Sequence, residues 1–179
     1  MRYLLTSATL ASVAFAVSPG IVYATEYLNV QQAQALMFAG ATEFTPMLVA
    51  LNPQQLEQLA QHAGGSARAG YWRVWQAKQG DKLLGYIVTD AVVGKAELID
   101  YAVALTPAGE IMDVEILAYR ESHGQEVRGK TWRAQFNGKS ANMPLRVGDD
   151  INNISGATLS CTHLTDGIRR VAFMIKLIT

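Results

Sequence analysis

Leu98-Ile99-Asp100-Tyr101-Ala102-Val103-Ala104-Leu105-Thr106-Pro107-Ala108-Gly109-Glu110-Ile111-Met112-Asp113-Val114-Glu115-Ile116-Leu117-Ala118-Tyr119-Arg120 decides the fold. Pro107 to Glu110 is a turn, and the runs on either side, Leu98 to Leu105 and Ile111 to Arg120, carry strand-forming residues, so the stretch predicts an antiparallel pair. Alternation is clearest where Ile111, Asp113 and Glu115 interleave with Met112, Val114 and Ile116. That pattern predicts one buried face and one wet one.

Working outward on the N-terminal side, Tyr71 to Ala77 and Leu83 to Thr89 flank the turn Gln79-Gly80-Asp81 and extend the pair to a four-stranded meander. Trp72 and Trp75 fall on opposite faces of a regular strand, so only one of them needs a core; for strand aromatics, packing is the default role. Met47 to Leu51 is a further short apolar run, readable as a strand. Val92-Val93-Gly94-Lys95 reads as a loop between the second and third strands, with one isolated cation that could pair with a phosphate.

Helices bracket this meander. Asn29 is a candidate N-cap for a helix with Val30, Ala33, Leu36 and Met37 on its apolar face, ending at Gly40. Asn52-Pro53 opens a second, with Leu56, Leu59 and Ala60 on one face and Gly64-Gly65 as the stop; His62 lies near its end, at the last carbonyls or in solvent. Gly129 to Gly138 reads as a short helix or irregular segment and Ser140 to Pro144 as loop. Toward the C-terminus Cys161, Leu164, Ile168, Val171 and Ile175 recur at steps of three and four and define one apolar stripe, with His163 off it and exposed. Arg169, Arg170 and Lys176 complement the dipole of that helix. The expected class is α+β: a mostly antiparallel sheet of about four to six strands, packed by a C-terminal amphipathic helix and by N-terminal helices.

The chain has 179 residues, half of them apolar, with 15 basic against 15 acidic side chains. That balance argues against a nucleic-acid partner, which needs a basic stripe. Cys161 has no second cysteine to pair with, and no Cys/His spacing suggests a metal. Arg2, an uncharged apolar run from Tyr3 to Val17, and Val22-Tyr23-Ala24 read as a secretory signal cleaved after Ala24, because Pro19 and Gly20 interrupt the run before a full membrane span. An uncleaved anchor is the weaker reading. Residues 25–179 then form one domain whose N-terminal part, about 25–66, is helical, and whose expected location is the periplasm.

The last helix begins in Asn152-Asn153-Ile154-Ser155-Gly156-Ala157-Thr158-Leu159-Ser160. Ser155 or Thr158 can cap its free N–H groups, those groups suit a phosphate, and Gly156 and Ala157 leave room for a large partner. Upstream, Tyr119-Arg120-Glu121-Ser122-His123-Gly124 ends the fourth strand and places hydrogen-bonding groups on the sheet rim. No Ser/His/Asp arrangement for nucleophilic catalysis is evident.

Ser155-Gly156-Ala157-Thr158 resembles the flavinylation motif of the FMN-binding domain found in the C subunit of sodium-pumping quinone reductases, the G subunit of their Rnf relatives and small exported FMN-binding proteins. The resemblance covers roughly the latter half of the chain. It implies FMN attached by a phosphoester to Thr158, placed there by a flavin transferase that takes FMN from FAD. It also implies that Glu121 and Ser122, which match the family's Glu-Thr-Pro-Gly segment, lie near the flavin ring; His123 stands where the family has Pro, and we add it as a titratable group that could exchange protons with the ring. Asn152 stands where the family usually has Asp and keeps its shape without its charge. The expected flavin site is therefore Thr158 with Ser155, Gly156, Ala157, Leu159, Ser160, Asn152, Glu121, Ser122, His123 and Lys95, with no catalytic nucleophile and no metal. The implied role is an exported electron carrier between a membrane-bound reductase and a periplasmic acceptor. The alternatives are a noncovalent ligand-binding or accessory module with Thr158 unmodified, and a stand-alone flavin reductase.

Overall fold

The computed structural model describes residues 25–63 and 71–179; the signal segment and the Gly64-Gly65 stop lie outside them. Strands β1 (Thr25–Glu26), β2 (Glu43–Ala50), β3 (Tyr71–Gln79), β4 (Lys82–Val93), β5 (Leu98–Leu105) and β6 (Ile111–Tyr119) form one sheet in the order β1-β6-β5-β4-β3-β2. Every neighbouring pair is antiparallel. Helices α1 (Val30–Met37), α2 (Pro53–Ala63), α3 (Lys130–Arg133) and α4 (Thr158–Ile178) complete the α+β fold expected from the sequence.

The expected helix starts hold for concrete reasons. Asn29 Oδ1 accepts from Gln32 N and Gln32 Oε1 accepts from Asn29 N, each at 2.8 Å, which is a reciprocal capping box. Asn52 and Gln55 repeat the arrangement at 3.0 and 2.9 Å, and Gln55 Nε2 also reaches Leu177 O, fastening α2 to the end of α4. On α2 the core-facing residues are Leu59 and Ala63 with Leu56 half-buried; Ala60 is exposed rather than part of that face. His62 is exposed, its Nδ1 lies 3.0 Å from Gln58 O, and its ring stacks on Phe173 at 4.3 Å.

The main core lies between α4 with α2 and one face of the sheet. Cys161, Leu164, Ile168, Val171 and Ile175 are all fully buried there, facing Val74, Val88, Tyr101 and Val103. A smaller core on the reverse face is made by Ala33 and Met37 of α1 and by Phe38, which follows it, with Ile87, Ala102, Ala104 and Leu117. Trp72 belongs to the first and Trp75 packs on the second, as strand parity required.

The sheet departs from the sequence reading in four places. β2 begins at Glu43 and carries Pro46, which an edge strand tolerates because one of its sides needs no ladder donor. β1 is two residues paired to Ala118 and Tyr119, too short to show periodicity. Val92 and Val93 continue β4, paired with Ile99 and Leu98, so the loop that follows is only 94–97. Finally, Leu105 pairs with Ile111 while Ala104 pairs with Asp113, so a bulge at Met112 puts Ile111 on the core side with Val114 and Ile116.

Candidate functional site

Thr158 is the first residue of α4 and is exposed. The N-cap is Ala157, with no side-chain capping bond, so neither Ser155 nor Thr158 plays the capping role expected of it. Thr158 Oγ1 instead accepts from Asn153 Nδ2 at 3.0 Å. The turn before it works as the sequence demanded: Gly156 has φ +85°, a conformation that favours glycine, and nothing lies within 4 Å of where its side chain would be. Ser155 and Leu159 are exposed, Ala157 and Ser160 buried.

Thr158 opens on a cleft of about 600 Å³ with Arg146, Gly148, Asn153, Thr162 and Asp166 among its walls. This volume is within the ~300–1,000 Å³ typical of small-molecule sites, and the exposed hydroxyl, the open backbone at Gly156 and the nearby cations suit an ester-linked nucleotide. A larger cleft, about 740 Å³, lies between α1 and the reverse face of the sheet around Trp75, Gln34 and the Arg120–Asp100 ion pair. It contains no residue of the helix-start motif.

The sheet rim meets α4 on another side. Tyr119 donates its hydroxyl to His123 O at 2.5 Å and lies 3.1 Å from Ser160 Oγ. A side chain on Gly124 would come within 2.8 Å of the Tyr119 oxygen and 3.1 Å of Ser160 Oγ, so glycine lets the 121–124 turn close onto the helix start. Ser122 and His123 remain exposed on that turn. At about 100° per residue, Thr158 and Ser160 face well apart around α4. The rim residues accordingly do not line the Thr158 cleft.

Glu121 is turned to the 94–97 loop, where its Oε1 accepts from Ala96 N at 2.6 Å and Glu97 N at 2.8 Å. Burial works to raise this carboxyl, but the backbone donors of Glu97, Ala96 and Lys95, aided by the Lys95 charge, hold it below the usual carboxylate range. Lys95 itself is exposed on that loop. His163, half-buried rather than exposed, secures the loop from the helix side, its Nδ1 lying 2.7 Å from Val93 O and 2.8 Å from Gly94 O. Facing two carbonyls, that nitrogen carries the proton. Because the folded Glu121 value is depressed, its contribution is present at neutral pH and is lost as pH falls through that value. Glu121→Gln should therefore flatten the acid limb of the stability curve, cost about 1 kcal/mol after allowance for solvent screening, and speed amide exchange at Ala96 and Glu97. Unchanged exchange at both amides would remove this clamp.

Asn152 is held by its backbone, not its side chain: its N–H donates to Gln135 Oε1 and its carbonyl accepts from Trp132 Nε1, both at 2.8 Å. Cys161 is fully buried and burial pushes its thiol up, which makes it packing material. Sequence reasoning missed Asn153, Tyr119 and His163. Each acts through a partner distant in the chain or around a turn, and only Asn153, five residues before Thr158, left a local trace.

The fold and site together define an α+β domain that displays a threonine at the head of its last helix beside a nucleotide-sized cleft. Residues 94–172 match the FMN-binding domain family. The match takes in the loop after β4, strands β5 and β6, and most of α4. The chain is 27% identical over 112 residues to the G subunit of the proton-translocating ferredoxin:NAD(+) oxidoreductase complex of Clostridium ljungdahlii, covering 59% of this chain and 60% of that one. It thus spans about 60% of the length of that relative. The crystal structure of Shewanella oneidensis NqrC superposes with a TM-score of 0.55 over 80% of this chain and 87% of that one, at 18% identity, a likeness of fold.

Proposed function

We propose that the protein is an exported electron carrier whose FMN is joined by a phosphoester to Thr158. The observation that carries this reading is the exposed Thr158 hydroxyl at the edge of a cleft of about 600 Å³, inside a span that matches the FMN-binding domain family. In attachment, the Thr158 oxygen bonds to the FMN-side phosphorus of FAD as the pyrophosphate P–O bond breaks. AMP leaves, and the hydroxyl proton ends on its phosphate. A separate flavin transferase performs this step, so Thr158 needs access and no adjacent base. The bound flavin supplies reversible electron transfer, while the chain's own residues serve the tether: Asn153, whose Nδ2 donates to Thr158 Oγ1, orients the acceptor oxygen at the edge of the cleft.

The reading extends to location and partners. Residues 1–24 act as a cleaved signal, residues 25–179 form the mature single domain, and electrons pass from a membrane-bound reductase to a periplasmic acceptor. The relation to one component of an oxidoreductase complex supports a reductase partner. An exported carrier cannot draw on cytoplasmic flavin, and a covalent tether holds the local concentration high whatever the surroundings. The test is the intact mass of protein matured in its own host, expected to show an increment of FMN less one water.

Asn152 favours a second reading, a noncovalent module, because it lacks the charge that the family carries there. With the backbone of residue 152 fixed on both sides and its side chain exposed, Asn152→Asp should preserve the local geometry. If charge limits recognition by the transferase, the modified fraction should rise several-fold, by about 1 kcal/mol of added interaction. An unchanged fraction in a mass spectrum would show that Asn serves as well.

A further inference from the structure

A phosphoester at Thr158 brings one negative charge to its cleft, and the cleft's own charges are unevenly committed. Arg169 Nη2 donates to Asp166 Oδ1 and to Ala63 O, each at 2.8 Å, and Nη1 donates to Leu145 O at 3.3 Å, so Arg169 and Asp166 balance each other in fixed positions. Arg146 lines the same cleft as Thr158 and Asn153, is exposed, and forms no ion pair among the described residues. Its backbone is fixed even so. Asp150 Oδ1 accepts from Arg146 N at 2.7 Å, Oδ2 accepts from Leu145 N at 3.2 Å, and Lys139 Nζ lies 3.3 Å from Oδ2, which occupies the acid that could otherwise draw the guanidinium away. Leu145 is fully buried with φ 46°, anchoring the turn from below. One uncommitted cation on a braced loop thus faces a site that is to receive one anion.

We infer that Arg146 is the phosphate anchor of this cleft: its planar fork holds the phosphodiester joined to Thr158 and, before attachment, the diphosphate of the incoming dinucleotide. Guanidinium geometry matches two phosphate oxygens at once, which an ammonium cannot do. The inference depends on Thr158 being the tether, and its test separates the two.

Wild type, Arg146→Gln, Arg146→Lys and Arg73→Gln would be matured with the host's transferase, following the initial rate of the mass increment and then the phosphorus NMR resonance of the finished protein. Arg73 is an exposed cation on the reverse-face cleft and controls for net charge. Arg146→Gln should slow attachment about tenfold, the equivalent of about 1.4 kcal/mol, and displace the phosphodiester resonance. Arg146→Lys should fall between, and Arg73→Gln should match wild type. Full modification of wild type with Arg146→Gln equally fast and its resonance unmoved would overturn the anchor alone. A wild type that carries no increment would overturn the tether, and the anchor with it. Because the Arg146 side chain is exposed and outside any ion pair among the described residues, thermal melts of all four proteins should coincide, which separates a binding effect from a folding one.

Discussion

Thr158→Ala should abolish flavin attachment completely and leave the fold as it is. The two halves of that expectation come from the same geometry. Thr158 is exposed, its hydroxyl has one partner, Asn153 Nδ2 at 3.0 Å, and it does not cap α4. Losing one exposed hydrogen bond is offset by the better helix propensity of alanine, so stability should change by less than about 0.5 kcal/mol. Attachment has no such tolerance, because the ester oxygen is gone. Thr158→Ser, which keeps that oxygen, should still be modified. Neighbouring hydroxyls show why the position is selective: Ser160 is buried against Tyr119, and Ser155 precedes the left-handed Gly156. Intact mass and in-gel flavin fluorescence of the three proteins decide the matter. A full increment on Thr158→Ala, mapped by peptide mass to Ser155 or Thr162, would move the tether elsewhere.

Much of this architecture was readable because its causes are local. The capping boxes at Asn29 and Asn52, the proline that opens α2, the five-residue stripe of α4 and the glycine turns of the meander each need only a few consecutive residues to act. The parity of Ile111 was not readable. It depends on the bulge at Met112, which is a fact about pairing with Leu105 and Ala104 that alternation along one strand cannot contain. Strand β1 was invisible for a related reason, since two residues have no period and gain their conformation from β6. At the site, the helix-start threonine and its glycine were legible as a motif. What surrounds them was not: Glu121 turns to the amides of Ala96 and Glu97, His163 grips the same loop from the helix, and Arg146 enters the cleft from a loop. Those contacts join segments that only the closed sheet brings together.

Gly167→Ala should destabilise the protein by about 2–3 kcal/mol, against the usual direction of that change in a helix. Alanine is favoured over glycine by about 1 kcal/mol in a helix interior. Here the new methyl carbon would lie 2.4 Å from the Tyr101 hydroxyl and 2.8 Å from Val92 Cγ1, and overpacking of that kind costs more than propensity returns. Tyr101 cannot retreat. It is fully buried, donates to Asp90 Oδ2 at 2.7 Å, and that oxygen also accepts from Arg170 at 2.9 Å. The glycine is therefore the notch that seats α4, and with it Thr158, on the sheet. At about 2–4 °C per kcal/mol for a domain of this size, the melting temperature should fall by several degrees. Tyr101→Phe removes the nearest obstacle, so Gly167→Ala should cost at least ~1 kcal/mol less in the phenylalanine background, a coupling that a double-mutant cycle measures. The phenol adds a second signature. Burial first, and the Asp90 charge after it, push Tyr101 well above the ordinary tyrosine value, so its stabilisation is complete below that ordinary value and is lost as pH climbs toward the folded one. Tyr101→Phe should accordingly flatten the alkaline limb of the stability curve. Strict additivity of the two substitutions would mean that the helix is seated by something other than this contact.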